Sequence, residues 1–172
     1  MTEPAARPDS VSCGPYQRPR IIGIGNSDRG DDGVGIWVAN RIASADWPGV
    51  AVVSLDSADG TALLSAWQGA DVAYVVDAVH AELPAGSVVR MVVSPGQRIG
   101  ATLRSLSSHG LGLQEAIDLG GALGMLPRRL VVYGVVGESF ETGRGLSAPV
   151  ARSGGNVMRR LRGALDRSTR VA

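Results

Sequence analysis

Five short apolar runs rich in β-branched residues, at 20–25 (RIIGIG), 50–55 (VAVVSL), 72–76 (VAYVV), 88–93 (VVRMVV) and 130–136 (LVVYGVV), constrain this chain most. Continuous apolar runs, rather than alternating ones, belong to strands buried on both faces, which is the environment of a parallel sheet covered by helices. Segments with helical spacing fill three of the four intervals, at 34–45, 60–67 and 111–123, and another follows the last run at about 148–165. Only about ten residues separate the third run from the fourth, too few for a crossover helix, so the fourth strand is expected antiparallel to its neighbour. The pattern predicts a three-layer α/β fold, a mostly parallel five-stranded sheet with helices on both faces and no internal repeat.

A chain of 172 residues with 44% hydrophobic and 19% charged content supplies one domain with a substantial core. Residues 19–166 are expected to form that domain, 1–18 a disordered leader and 167–172 a tail. The formal net charge is only +1, so no global field draws the chain to nucleic acid or to an anionic membrane. No uncharged stretch approaches the roughly 20 residues of a membrane helix, and the leader lacks the apolar run of a signal peptide. The sole cysteine, Cys13, lies in that leader and permits neither an internal disulfide nor a thiolate zinc site, which fits a reducing, cytoplasmic compartment.

Ligands of open α/β sheets gather at the carboxyl ends of strands. The loop 25–35 (GNSDRGDDGVG) sits there, between the first strand and the first helix, and carries Asp28, Asp31 and Asp32. A phosphate-binding reading of its glycines fails on two grounds: three carboxylates would repel a phosphate, and Gly23, Gly25 and Gly30 do not have the G-x-G-x-x-G spacing. Either Asp31 or Asp32 could cap the first helix, and Asp31 is favoured for that role. Asp77 directly follows the third apolar run, so its carboxylate is expected to emerge at the same sheet edge. Taken alone, it reads equally well as a solvated acid capping a turn.

The chain has two histidines, His80 and His109. His109 lies in 106–113 (LSSHGLGL), a Ser- and Gly-rich loop leading into a helix, and suits a positioned imidazole, a helix cap or a surface group; His80, just after Asp77, competes with it. Two carboxylates and an imidazole from separate strand ends would accept a borderline divalent ion such as zinc, nickel or cadmium and leave coordination positions open. Covalent catalysis is disfavoured, because no G-x-S-x-G elbow is present and the only thiol is in the leader.

The ordered set GIGNSDRGDDGVG, VVDAV and SSHGLGL, with VVGE at 135–138 before a terminal helix, resembles the motifs of the hydrogenase maturation proteases over about residues 20–165. The resemblance implies an endopeptidase that removes a C-terminal extension from the large-subunit precursor of a nickel-iron hydrogenase after nickel insertion. It further implies that Asp32, Asp77 and His109 are the metal-binding residues, with nickel supplied by the substrate and zinc or cadmium able to occupy the site in vitro. Asp56, at the end of the second strand, matches a further acid of the family that could support the site or position substrate, although Asp59 lies close enough to compete for that alignment. Oxygen-rich ligation without cysteine would hold nickel too weakly to strip it from a thiolate-ligated centre, so the metal would be inspected rather than removed. Water could be activated by the metal or by a carboxylate such as Asp32 acting as general base.

The sequence departs from the resemblance at Asp28, where the family often carries an apolar or aromatic residue, and in its leader. A rival reading is a non-catalytic chaperone that binds nickel or the precursor through the same ligands; a nucleotide-binding protein is a third. On the protease reading, replacing Asp32 or His109 with Ala is expected to abolish processing with little effect on folding, as for exposed site residues.

Overall fold

The computed structural model describes residues 18–57, 59–95 and 111–169. Strand β1 (Arg20–Ile24) leads through a 3-10 turn (Gly30–Gly33) into α1 (Val34–Ser44). There follow β2 (Ala51–Leu55), α2 (Gly60–Trp67), β3 (Val72–Val79), β4 (Val88–Val93), α3 (Leu111–Ala122), β5 (Arg129–Val136) and α4 (Ala148–Thr169). The five strands form one sheet in the order β2-β1-β3-β5-β4. β1 pairs parallel with β2 and β3, and β3 parallel with β5. β4 is antiparallel, as the short connection requires, but its partner is β5 rather than the preceding β3, which places it at the sheet edge.

Strand periodicity sorts the core into two layers. Ile22, Ile24, Val75 and Leu130 face α2 and α3, where Leu63, Trp67 and Ile117 complete one cluster. Ile21, Tyr74, Val131 and Tyr133 face the other way, toward Val38 of α1 and Leu161 of α4. Helix α1 sits close on the sheet because of two glycines: a Cβ on Gly23 would lie 2.1 Å from the Gly35 carbonyl oxygen, and one on Gly35 would lie 2.2 Å from that of Ile24 and 2.3 Å from that of Val76. These two glycines, at either end of the first motif, thus serve close helix-to-sheet contact.

One element is longer than its apolar run. β3 continues through Asp77 to Val79, because β5 offers a partner to each added residue: Asp77 opposes Gly134, Ala78 opposes Val135 and Val79 opposes Val136. An acid that looks like a strand terminator is carried inside the ladder by pairing. The final helix likewise runs beyond its expected end, to Thr169. The leader up to residue 17 and the loop bearing His109 lie outside the described residues.

Candidate active site

The loop after β1 is built by a sharp reversal at Gly25, whose φ of +136° favours glycine and where a Cβ would meet the Asp32 carbonyl oxygen at 1.9 Å. The Asn26 side chain accepts from the Asp28 amide at 2.9 Å, an Asx turn, while the Arg29 amide donates to the Asn26 carbonyl at 3.1 Å. This winding brings Asp32 back over the start of the loop, where its Oδ2 accepts from the Asn26 amide at 3.1 Å. Asp32 is 1% exposed. Asp28 is exposed, and its backbone carbonyl accepts from the Gly143 amide at 2.8 Å.

Asp31 does not cap α1, contrary to the expectation from its position. Neither the 3-10 turn nor α1 has a side-chain cap. The fully buried Asp31 carboxylate instead accepts three backbone amides from a distant segment: Oδ2 from Glu138 at 2.8 Å and Ser139 at 3.1 Å, Oδ1 from Ser147 at 2.6 Å. Charge-assisted bonds of this kind are roughly twice as strong as neutral ones, so the group stabilises loop packing rather than a helix end.

Asp77 is also 1% exposed, so it does not emerge at the edge as a solvated strand-end acid. It shares the β3 face with Val75, the side covered by α2 and α3. The first turn of α3 is at the same edge as the start of α2, since a Cβ on Gly60 would approach the Gly112 carbonyl oxygen at 3.8 Å. Neither Asp77 oxygen has a hydrogen bond of regular geometry among the described residues. Burial is the main reason its carboxyl is pushed up to about 8 from 3.8; the Ala78 amide pulls the other way, and nearby Asp32 adds a smaller push upward. The loop of the first motif and the middle strand therefore converge, bringing Asp32 and Asp77 within electrostatic reach of each other.

The other candidates separate by role. Asp59 caps α2, accepting from the Thr61 amide and hydroxyl at 2.8 Å each, and these bonds hold its carboxyl below the usual carboxylate range. Asp56 is exposed in the turn after β2. His80 is exposed at the end of β3 and lies against the Phe140 ring, with centroids 4.0 Å apart and planes tilted by 32°. His109 lies outside the described residues, and among those described no three His, Cys, Asp or Glu side chains cluster as a metal-binding group. The segment 137–147, of which sequence reading singled out only the VVGE at its start, is the element it missed.

Residues 45–163 match the family model for hydrogenase maturation protease, a span that includes Asp77 and position 109 and begins after Asp32. A hydrogenase expression/formation protein, HupD of Thiocapsa roseopersicina, is 32% identical over 118 residues, covering 67% of this chain and 52% of that protein. The chain thus spans about half the length of that curated relative. Among solved structures, the hydrogenase maturating endopeptidase HybD from E. coli superposes with a TM-score of 0.70 at 23% identity, covering 88% of this chain and 93% of that one. The [NiFe] hydrogenase maturation protease HybD from Thermococcus kodakarensis gives 0.68 at 21%, covering 86% and 98%. At these identities the structural likeness shows a shared fold.

Proposed function

The chain belongs to the hydrogenase maturation protease family, and from that premise we propose that it is an endopeptidase that trims the C-terminal extension of a nickel-iron hydrogenase large-subunit precursor once nickel is in place. The observation that carries this reading is the convergence of two buried carboxylates, Asp32 in the turn after β1 and Asp77 within β3, with no hydrogen bond of regular geometry to either Asp77 oxygen among the described residues. A buried carboxyl with so little hydrogen bonding is costly unless something compensates it, and a cation brought by the substrate would do so. His109 is the third ligand in this reading. The precursor's nickel then anchors the tail, and its scissile peptide is held by attachment rather than by random encounter, which lowers the entropic part of the barrier.

Zinc or cadmium would stand in for nickel in vitro through the same oxygen and imidazole donors. Asp56, exposed at the neighbouring strand end, would contact the precursor rather than the metal. A cytoplasmic location belongs to the same reading, on the strength of the cysteine usage. No described helix is long and apolar enough to cross a membrane.

The test is the intact mass of a nickel-loaded large-subunit precursor from the same organism, incubated with this protein beside a nickel-free control. Loss of a C-terminal peptide only in the nickel-loaded sample is the expected result. An unchanged mass with a stable complex would replace the protease by a chaperone that binds the precursor without cutting it, and neither cleavage nor complex would remove both.

A further inference from the structure

Residues 137–147 join β5 to α4 and lie against the Asp32 loop, to which they are bound by two sets of contacts. The backbone set is reciprocal: Gly30 donates to the Arg144 carbonyl at 3.0 Å, Asp31 to that of Ser139 at 2.8 Å, and Gly143 to that of Asp28 at 2.8 Å. The second set is the Asp31 carboxylate on the amides of Glu138, Ser139 and Ser147. The segment is also packed from beneath, since the Phe140 ring lies over Gly137, where a Cβ would be 2.4 Å from it.

Asp31 and Asp32 are consecutive in a 3-10 turn, so fixing one fixes the backbone that carries the other. We propose that Asp31 is a positioning residue: by clamping the 137–147 segment to the turn, it sets where the Asp32 carboxylate stands beside Asp77. The clamp also makes 137–147 a rigid wall beside the acid pair, with Glu138, Glu141 and Arg144 exposed on it to meet an extended peptide. Glu141 and Arg144 are bridged at 2.9 Å, so the wall offers both charges without a strong net field. No ligand bond is assigned to Asp31 itself; three of its acceptor positions, on both oxygens, are used by the fold.

The positioning role rests on the protease reading, while the clamp can be measured without it. Residue-resolved hydrogen exchange of the full chain would compare wild type with Asp31→Asn, which keeps the volume but replaces one acceptor oxygen by a donor facing an amide. The amides of Glu138, Ser139 and Ser147 should exchange about ten- to a hundredfold faster. The Asn26 amide, which reports the Asp32 carboxylate it is bonded to, should quicken with them, and the strand amides of β1, β3 and β5 should not. Processing of the nickel-loaded precursor should show kcat reduced about tenfold or more with KM little changed. Ser147→Pro removes one donor to Asp31 and leaves every carboxylate in place, so it should reproduce a weaker form of the same pattern if Asp31→Asn does not fold. Unchanged exchange at Asn26, acceleration spread evenly over the sheet, or an unaltered kcat would each overturn the positioning role. If wild type itself fails to process the precursor, the protease reading falls and the positioning role with it, while the exchange at Asn26 still decides whether the clamp holds Asp32.

Discussion

Asp77 should make this protein less stable as the pH rises through the neutral range, the reverse of the usual behaviour of a carboxylate. Its carboxyl ionises at about 8 in the folded chain against 3.8 as the reference. Below the lower value both folded and unfolded states hold the proton and the group contributes no pH dependence. Between the two values the unfolded chain has lost the proton while the folded one retains it, so the unfolded state binds fewer protons and unfolding becomes easier with each step up in pH. Above about 8 both are ionised and the penalty is constant. Each pH unit is worth about 1.4 kcal/mol, and some four units separate the two values, so the full effect is on the order of 5 kcal/mol. That is comparable with the whole stability of many small domains.

The assay is urea unfolding of wild type and Asp77→Asn from about pH 4 to about pH 8, with a chelator present so that no divalent ion ionises the group in the folded state. Subtracting the variant's curve removes the titration of every other side chain that the substitution leaves alone. The stability difference should move in favour of the variant as pH rises, which at a slope of about 1–3 kcal/mol per molar urea is a midpoint displacement of roughly 2 M or more. A difference that stays flat over this range, or that moves in favour of wild type, would refute the argument that burial dominates the ionisation of Asp77.

Gly35→Ala should destabilise by about 3 kcal/mol or more in denaturant unfolding, because its Cβ would meet two backbone carbonyls of the sheet that cannot step aside. Asp59→Ala should lower the melting temperature modestly by uncapping α2 and leave precursor processing unchanged, which separates it from the site acids. The two histidines should divide cleanly in a processing assay: His80→Ala loses a ring contact with Phe140 and keeps turnover, while His109→Ala abolishes it. Equal loss in both would return His80 to contention as the imidazole ligand.

The sheet was legible because strands buried on two faces leave uninterrupted apolar runs: Ile21 and Ile22 point in opposite directions, and both can be buried only if both faces are covered. The antiparallel sense of β4 followed from connection length alone, but its partner did not, since local spacing says nothing about which strand is inserted beside it. The extent of β3 was hidden for a related reason: Asp77 is a poor strand residue by itself, and only the ladder to Gly134 keeps it there. The choice of Asp31 as a helix cap failed because the amides it serves lie 107 to 116 positions away along the chain. A short acidic residue before a helix has a local use that sequence can see and long-range uses that it cannot.

The expectation that Asp32 could be replaced with little effect on folding rested on its being exposed, and Asp32 is buried. Sequence reasoning treats acids at strand ends as solvated, yet Asp31, Asp32 and Asp77 are all at most 1% exposed. Burial changes what each can do. In a 3-10 turn successive side chains diverge by about 120°, so the neighbours Asp31 and Asp32 are directed to different partners, one to the 137–147 segment and the other to the Asn26 amide. The first is compensated by three amide donors and acts as a fastener. Asp77, with no regular donor among the described residues, holds a proton near neutrality instead. On the proposed reading, a divalent cation brought by the substrate would have to displace that proton, so binding of the nickel-loaded precursor should be accompanied by proton release.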